Sequence, residues 1–225
     1  MKIGIVITTY NRPEYTKICF DSIKSSNLLG DVFIVLVDDC SKNSYSNILF
    51  NSFFIEGLEV VKIKNEKNLG ISKSLLIGFN EAIKNGADVL INLDNDVIVK
   101  QDWLKKLIDL YSCIEDECFV VSGFNTISAD LKTKKIRHPI IKVYDSYYEK
   151  KSIGGINMMF SVRTYLRHIK PSLDKRGHWD WNVCSRGIKF YVTKPSVIQH
   201  IGIEKATNKN NPDIAFDFYE QNCYI

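Results

Sequence analysis

A chain of 225 residues, 45% hydrophobic and 25% charged, can bury a full core, which excludes a disordered segment or a small domain that depends on staples. Its formal charge of +4 is too slight to argue for nucleic acid as a partner, although it would suit a phosphate-bearing substrate. The six cysteines, Cys19, Cys40, Cys113, Cys118, Cys184 and Cys223, form no C-x-x-C pair, so they read as reduced thiols of a cytoplasmic protein rather than as a disulfide framework or a zinc site.

Residues 3–8 (IGIVIT) form a continuous β-branched run that predicts a strand buried on both faces. It begins so near the first residue that a signal peptide has no room, and no apolar run reaches membrane-spanning length. Residues 9–13 predict a loop feeding a helix with Pro13 in its first turn. Residues 32–37 (VFIVLV) predict a second buried strand, stopped by Asp38 and Asp39, and residues 58–63 a third. Asn68-Leu69-Gly70 opens a helix that runs through residues 81–84 and ends at Gly86. Residues 89–93 predict a fourth strand, stopped by Asp94-Asn95-Asp96. Alternating strands and helices imply right-handed crossovers and a parallel sheet. Further on come a helix over 103–113, a short strand over 119–122, a mixed-sheet region over 130–160, a helix over 179–186, and short strands over 188–192 and 197–199. No Pro/Gly/Ser-rich linker divides the chain, so one α/β domain over 1–225 is expected. For the aromatic tail 214–225, packing on the core is the default; a homodimer contact or peripheral contact with a membrane are the alternatives.

Three strands end at polar clusters: Thr8-Thr9, Asp38-Asp39 and Asp94-Asn95-Asp96. In a parallel sheet these ends share one edge, where open α/β folds bind ligands. Asp94 and Asp96, two residues apart past an apolar strand, can share a divalent cation. Hard oxygen ligands suit Mn²⁺ or Mg²⁺, which typically bridge to a diphosphate. A plain turn is the alternative, and the apolar flanks of INLDNDVIV speak against it. A carboxylate of the Asp38-Asp39 pair can accept the N3–H of uracil or thymine, or serve only as a cap. Thr8, Thr9 and Tyr10 offer hydroxyls and a stacking ring to the same base. His200 reads as structural unless it reaches a cation held by Asp94 and Asp96. Asp180, between Trp179 and Trp181, sits in a partly dehydrated setting that raises its pKa and strengthens it as a base. An N-cap role for Asp180, or His178 as the base instead, are the competing readings. Gly154-Gly155 would let backbone pass close to a sugar, or would form a plain bend.

In this order, IVITTYNRPEY, VDDCSKN, NEKNLGISKSLLIGFNEAI, LDNDVIVKQDWL and WDWNVCSRGIKFYVTKPSVIQHIG resemble the GT-A glycosyltransferases, and among them the family-2 group of inverting enzymes, over residues 1–202. The resemblance implies a Rossmann-like GT-A fold: α/β, with a central, mostly parallel mixed sheet flanked by helices. Residues 1–100 would form a nucleotide-binding half and residues 101–225 an acceptor-side half. It also implies metal-assisted transfer, with inversion, from a nucleoside-diphosphate sugar to a hydroxyl of a glycan or glycoconjugate. UDP or dTDP is favoured over GDP. Thr9 and Asp39 would hold the base, with Thr8, Tyr10 and Arg12 nearby. Asn68, Gly70, Lys73, Asn95 and Gly155 complete the nucleotide-sugar set, Lys73 towards the diphosphate. Asp94 would face ribose or metal, Asp96 would bind the metal, His200 would complete that site, and Asp180 would be the catalytic base. Where the family often has Glu-Asp, this chain has Trp179-Asp180, which leaves the orientation of the base open. A sugar nucleotidyltransferase would need a Gly-rich loop where TTYNRPEY stands, and a dehydrogenase would need G-x-G-x-x-G. A non-catalytic binding module of the same descent would keep the fold and lose the base. A chain this short has no obvious acceptor domain, so a partner or a larger multidomain context is expected.

Overall fold

Seven consecutive buried residues make β1 (Ile3–Thr9), and seven more make β2 (Val32–Asp38). Between them lies α1 (Pro13–Lys24), and then follow α2 (Ser44–Ser52), β3 (Glu59–Lys64), α3 (Ile71–Lys84) and β4 (Val89–Asp94). The computed structural model describes residues 1–126, 135–202 and 214–218. Side chains alternate along β1. Ile3, Ile5 and Ile7 join Phe20 and Ile23 of α1 in one core, while Val6 joins Phe79 and Ala82 of α3 in the other. A strand covered on both faces has no polar side to show, which is why its sequence reads as unbroken hydrophobics. β3 lies at the edge, and its exposed Glu59, Lys62 and Lys64 discourage pairing with another chain.

The second half adds β5 (Val97–Val99), α4 (Trp103–Cys113), β6 (Phe119–Ser122), β7 (Ile140–Val143), β8 (Tyr147–Lys150) and β9 (Asn157–Ser161). Then come α5 (Val162–Thr164), a π turn (Tyr165–Ile169), α6 (Lys170–Leu173), α7 (Trp179–Cys184), β10 (Lys189–Thr193) and β11 (Ile198–His200). Among the described residues, nine strands form one sheet in the order β3-β2-β1-β4-β9-β6-β10-β8-β7. The first four run parallel, as alternation with helices requires. β9 then runs antiparallel between β4 and β6 and joins the two halves of the chain into one sheet.

The strands exceed their predicted ends by a residue or so because the ladder is indifferent to side-chain polarity. Thr9 pairs with Asp38, and Thr8 pairs with Asp94. α2 was not legible from periodicity: only Ser46 and Phe50 are buried, and it is fixed instead by Asn43, whose side chain accepts the Ser46 N–H at 3.1 Å. The strand expected over 197–199 lies at Ile198–His200 and pairs with β5 in a separate two-stranded sheet. In the tail, Ala215 and Phe218 are buried, and the Phe216 N–H donates to the Asn125 carbonyl at 2.7 Å. This is the core packing expected there; residues 219–225, with Cys223, lie outside the described residues.

Candidate active site

The C-terminal ends of β1, β2 and β4 bring together residues from distant parts of the chain. A cavity of about 290 Å³ is lined by Thr8, Thr9, Tyr10 and Arg12 from the end of β1 and the loop after it, by Asp39, by Asn68 and Gly70 before α3, and by Asp94, Asn95 and Asp96. A second cavity of about 760 Å³ adjoins it, sharing Asp94 and Ile71, and takes in Gly155, His178 and Asp180. Lys73 is exposed on the first turn of α3 and lines neither cavity.

Asp39 is the best-held group of the first cavity. Its Oδ1 accepts from Asn65 Nδ2 at 2.9 Å and from the Leu69 N–H at 2.8 Å, and its Oδ2 accepts from the Gly70 N–H at 2.8 Å. Burial works upward on its pKa, yet these donors outweigh burial and hold it below its usual value. A carboxylate offers about four acceptor sites, and these three donors, with the Ser74 hydroxyl beside them, hold Asp39 firmly at the cavity wall. Asp38, by contrast, is wholly buried and accepts from the Ser41 N–H and Oγ and from Thr9 Oγ1. Tyr10 is 43% exposed at the cavity mouth, where a ring can stack on a base. The Asn95 side chain turns to α1 and donates to Thr16 Oγ1 at 2.6 Å.

Beyond Asp94 the chain turns into β5, and β11 returns antiparallel to it with His200 opposite Val97. That pairing places His200 Nε2 3.3 Å from Asp96 Oδ2. The same oxygen receives Arg12 Nη1 at 2.7 Å. Burial works upward on Asp96, but His200 and Arg12 outweigh it and hold the carboxyl below its usual value. Asp94 is pushed well up, by burial first and then by the Asp96 and Asp180 carboxylates. Two carboxylates and an imidazole suit a divalent cation in kind, and the crowding of negative charge around Asp94 is what a cation would offset. Among the described residues, no three such side chains gather closely enough to hold a metal as they stand, and Arg12 occupies an Asp96 oxygen that a cation would use.

On the wall of the second cavity, Trp179 is buried and Trp181 is 53% exposed, on either side of Asp180. Burial raises the Asp180 pKa above the usual carboxylate value, the direction its tryptophan flanks predict. The Gly155 N–H donates to Asp180 Oδ2 at 3.3 Å, so backbone provides the orienting contact that the absent Glu at position 179 does not. A Cβ on Gly155 would lie 2.8 Å from the Trp179 ring and 3.2 Å from the Asp180 Cβ, so the close approach is between these elements of the fold. Gly155→Ala is therefore expected to shift α7, cost about 1–3 kcal/mol of stability, and slow turnover more than it weakens nucleotide binding. Urea denaturation and steady-state kinetics would check both.

Two buried asparagines that sequence reading passed over set Gly155 in place. Asn92 Nδ2 donates to the Gly155 carbonyl at 2.6 Å, and Asn157 Nδ2 donates to the Asn92 carbonyl at 3.0 Å. Their signal was an amide inside the otherwise apolar runs VLINLD and INMMF. Asn65, whose Nδ2 donates to Asp39 Oδ1 and to Ser74 Oγ at 3.1 Å, and Ser74, which supports Asp39, were also missed. So was the basic wall of the second cavity formed by Lys135, Arg137 and His138.

The sequence matches the family model described as Glycosyl transferase family 2 over residues 4–175. It is 27% identical over 170 residues to undecaprenyl-phosphate 4-deoxy-4-formamido-L-arabinose transferase of Proteus mirabilis (strain HI4320), covering 75% of this chain and 50% of that protein. The protein of the same name from Yersinia enterocolitica serotype O:8 is 26% identical over 174 residues, covering 76% and 51%. The chain thus spans about half the length of these curated relatives. Among solved structures, S. aureus TarS 1–349 in complex with UDP-GlcNAc superposes with a TM-score of 0.59 at 16% identity, over 85% of this chain and 56% of that one. GalNAc-T7 with UDP, GalNAc and Mn²⁺ superposes with a TM-score of 0.63 at 17% identity, over 89% and 44%. These two likenesses speak for the fold, and the family match speaks for descent. The chain belongs to glycosyl transferase family 2 and has the mixed-sheet GT-A fold.

Proposed function

We propose that this chain moves a sugar from a nucleoside diphosphate to an acceptor hydroxyl by a single displacement with inversion. The observation that carries the reading is the meeting of the two cavities at Asp94, with a half-buried, pKa-raised Asp180 in the larger one. The smaller cavity takes the nucleotide. Tyr10 stacks on the base, and Asp39 accepts the imide N–H, which favours uridine or thymidine over guanosine. The sugar lies over Gly155, with the acceptor between Trp181 and Asp180.

Asp180 removes the proton from the acceptor hydroxyl. The oxygen attacks the anomeric carbon, and the nucleoside diphosphate leaves from the opposite face. Asp96, with Asp94 and His200, would hold Mn²⁺ or Mg²⁺, which as a Lewis acid would offset charge on the leaving diphosphate. The acceptor is a glycan or glycoconjugate; undecaprenyl phosphate, which appears in the relatives' names, is the first alternative to try beside it. Among the described residues no helix is long and apolar enough to cross a membrane. We place the chain in the cytoplasm, reaching a lipid-linked acceptor from the membrane surface.

The test needs no known acceptor, because water can take the acceptor's place slowly. Proton NMR of the free sugar first released from an α-linked UDP-sugar is expected to show the β anomer. Release of the α anomer would contradict the single displacement.

A further inference from the structure

Asn11 and Arg12 are adjacent non-glycine residues in left-handed backbone, with φ of 51° and 56°. Such residues persist only where their surroundings over-determine them. Here the Asn11 N–H donates to Ser41 Oγ at 2.8 Å, and Asn11 Oδ1 accepts from the Lys42 N–H at 2.9 Å. The turn aims Arg12 inward. Its guanidinium lies 4.6 Å from the Tyr15 ring centroid, and its Nη1 bonds Asp96 Oδ2 at 2.7 Å. Its Nη2 is buried and has no hydrogen-bond partner. Gly202 closes over the pair, since a Cβ there would press on Asp96 and lie 2.7 Å from Arg12 Nη2.

These contacts put a fixed positive charge on a carboxylate oxygen that a divalent cation needs, and they leave an unused donor beside the nucleotide cavity. A cation arriving at the free protein meets the guanidinium first. A diphosphate can satisfy Nη2 and compete with Asp96 for the whole guanidinium. We propose that Arg12 makes cation binding conditional on the nucleotide: it holds Asp96 in the free protein and passes to the diphosphate when the donor enters, which frees Asp96 for the cation. The proposal rests on the donor-binding reading above. By linkage, nucleotide and cation must then strengthen each other's binding by the same factor.

The test is Mn²⁺ binding, read from the electron paramagnetic resonance signal of unbound Mn²⁺, without UDP and with saturating UDP, corrected for Mn²⁺ chelation by UDP alone. For the unaltered protein, UDP is expected to tighten Mn²⁺ binding by about tenfold or more. Arg12→Gln is expected to bind Mn²⁺ about tenfold more tightly than the unaltered protein when UDP is absent, with a smaller further tightening by UDP. Arg12→Lys, which keeps the charge, should stay close to the unaltered protein. UDP-independent Mn²⁺ binding by the unaltered protein would overturn the Arg12 proposal alone, and needs no variant to fold. So would Arg12→Gln binding Mn²⁺ no more tightly. Failure of UDP to bind at all would overturn both this proposal and the donor reading.

Discussion

Asp180→Asn is expected to lower donor turnover by about two to four orders of magnitude, the usual cost of losing one positioned general base, with nucleotide affinity unchanged. The amide keeps the volume between Trp179 and Trp181 and can still accept the Gly155 N–H, so the cavity wall survives while the proton acceptor is lost. The pH dependence follows from the same burial. Because burial raises the Asp180 pKa, turnover should fall away on the acid side above the usual carboxylate range, and Asp180→Asn should remove that limb. For stability the sign is reversed. A carboxyl whose folded pKa is raised favours the folded state at low pH, and that contribution is lost as pH rises through the unfolded and then the folded pKa. Asp180→Asn should therefore unfold no more easily than the unaltered protein at neutral pH, while being nearly inactive. Normal turnover by the variant would remove Asp180 from the mechanism.

Asp39→Ala is expected to cost about 2–4 kcal/mol of stability and to abolish nucleotide binding. Three donors, from Asn65, Leu69 and Gly70, lose their acceptor together, and the turn that starts α3 loses its anchor. Here the pKa is depressed, so the carboxylate stabilises the fold above the unfolded value of about 4 and ceases to do so as pH falls through the folded value. The stability gap between Asp39→Ala and the unaltered protein should therefore be full at pH 7 and narrow in acid. Urea denaturation at the two pH values measures it. A gap that does not change with pH would mean that the hydrogen bonds do not depend on the charge.

The first half of the fold was legible because its strands are β-branched runs stopped by Thr and Asp, and because alternation with helices fixes a parallel direction. Thr8, Asp39 and Asp94 then had to meet on one edge. The approach of His200 to Asp96 was legible only as a condition, since it depends on two three-residue strands too short to carry a period. Arg12 lines the nucleotide cavity, as its motif position implies, but its bond to Asp96 was not legible, because a left-handed arginine leaves no mark in sequence. Lys73 fits the motif, but the phase of α3 turns it to solvent. Asn92 and Asn157 were hidden because buried amides interrupt a strand's hydrophobicity without breaking the strand.

The most direct test of the account is a calorimetric titration of UDP-, dTDP- and GDP-sugars into the unaltered protein, each with Mn²⁺ and with chelator. The account predicts that a uridine or thymidine donor binds, more tightly with Mn²⁺, and that the guanosine donor binds less well. No binding by any donor under either condition would contradict it and leave a family member that keeps the fold without using the cleft for transfer.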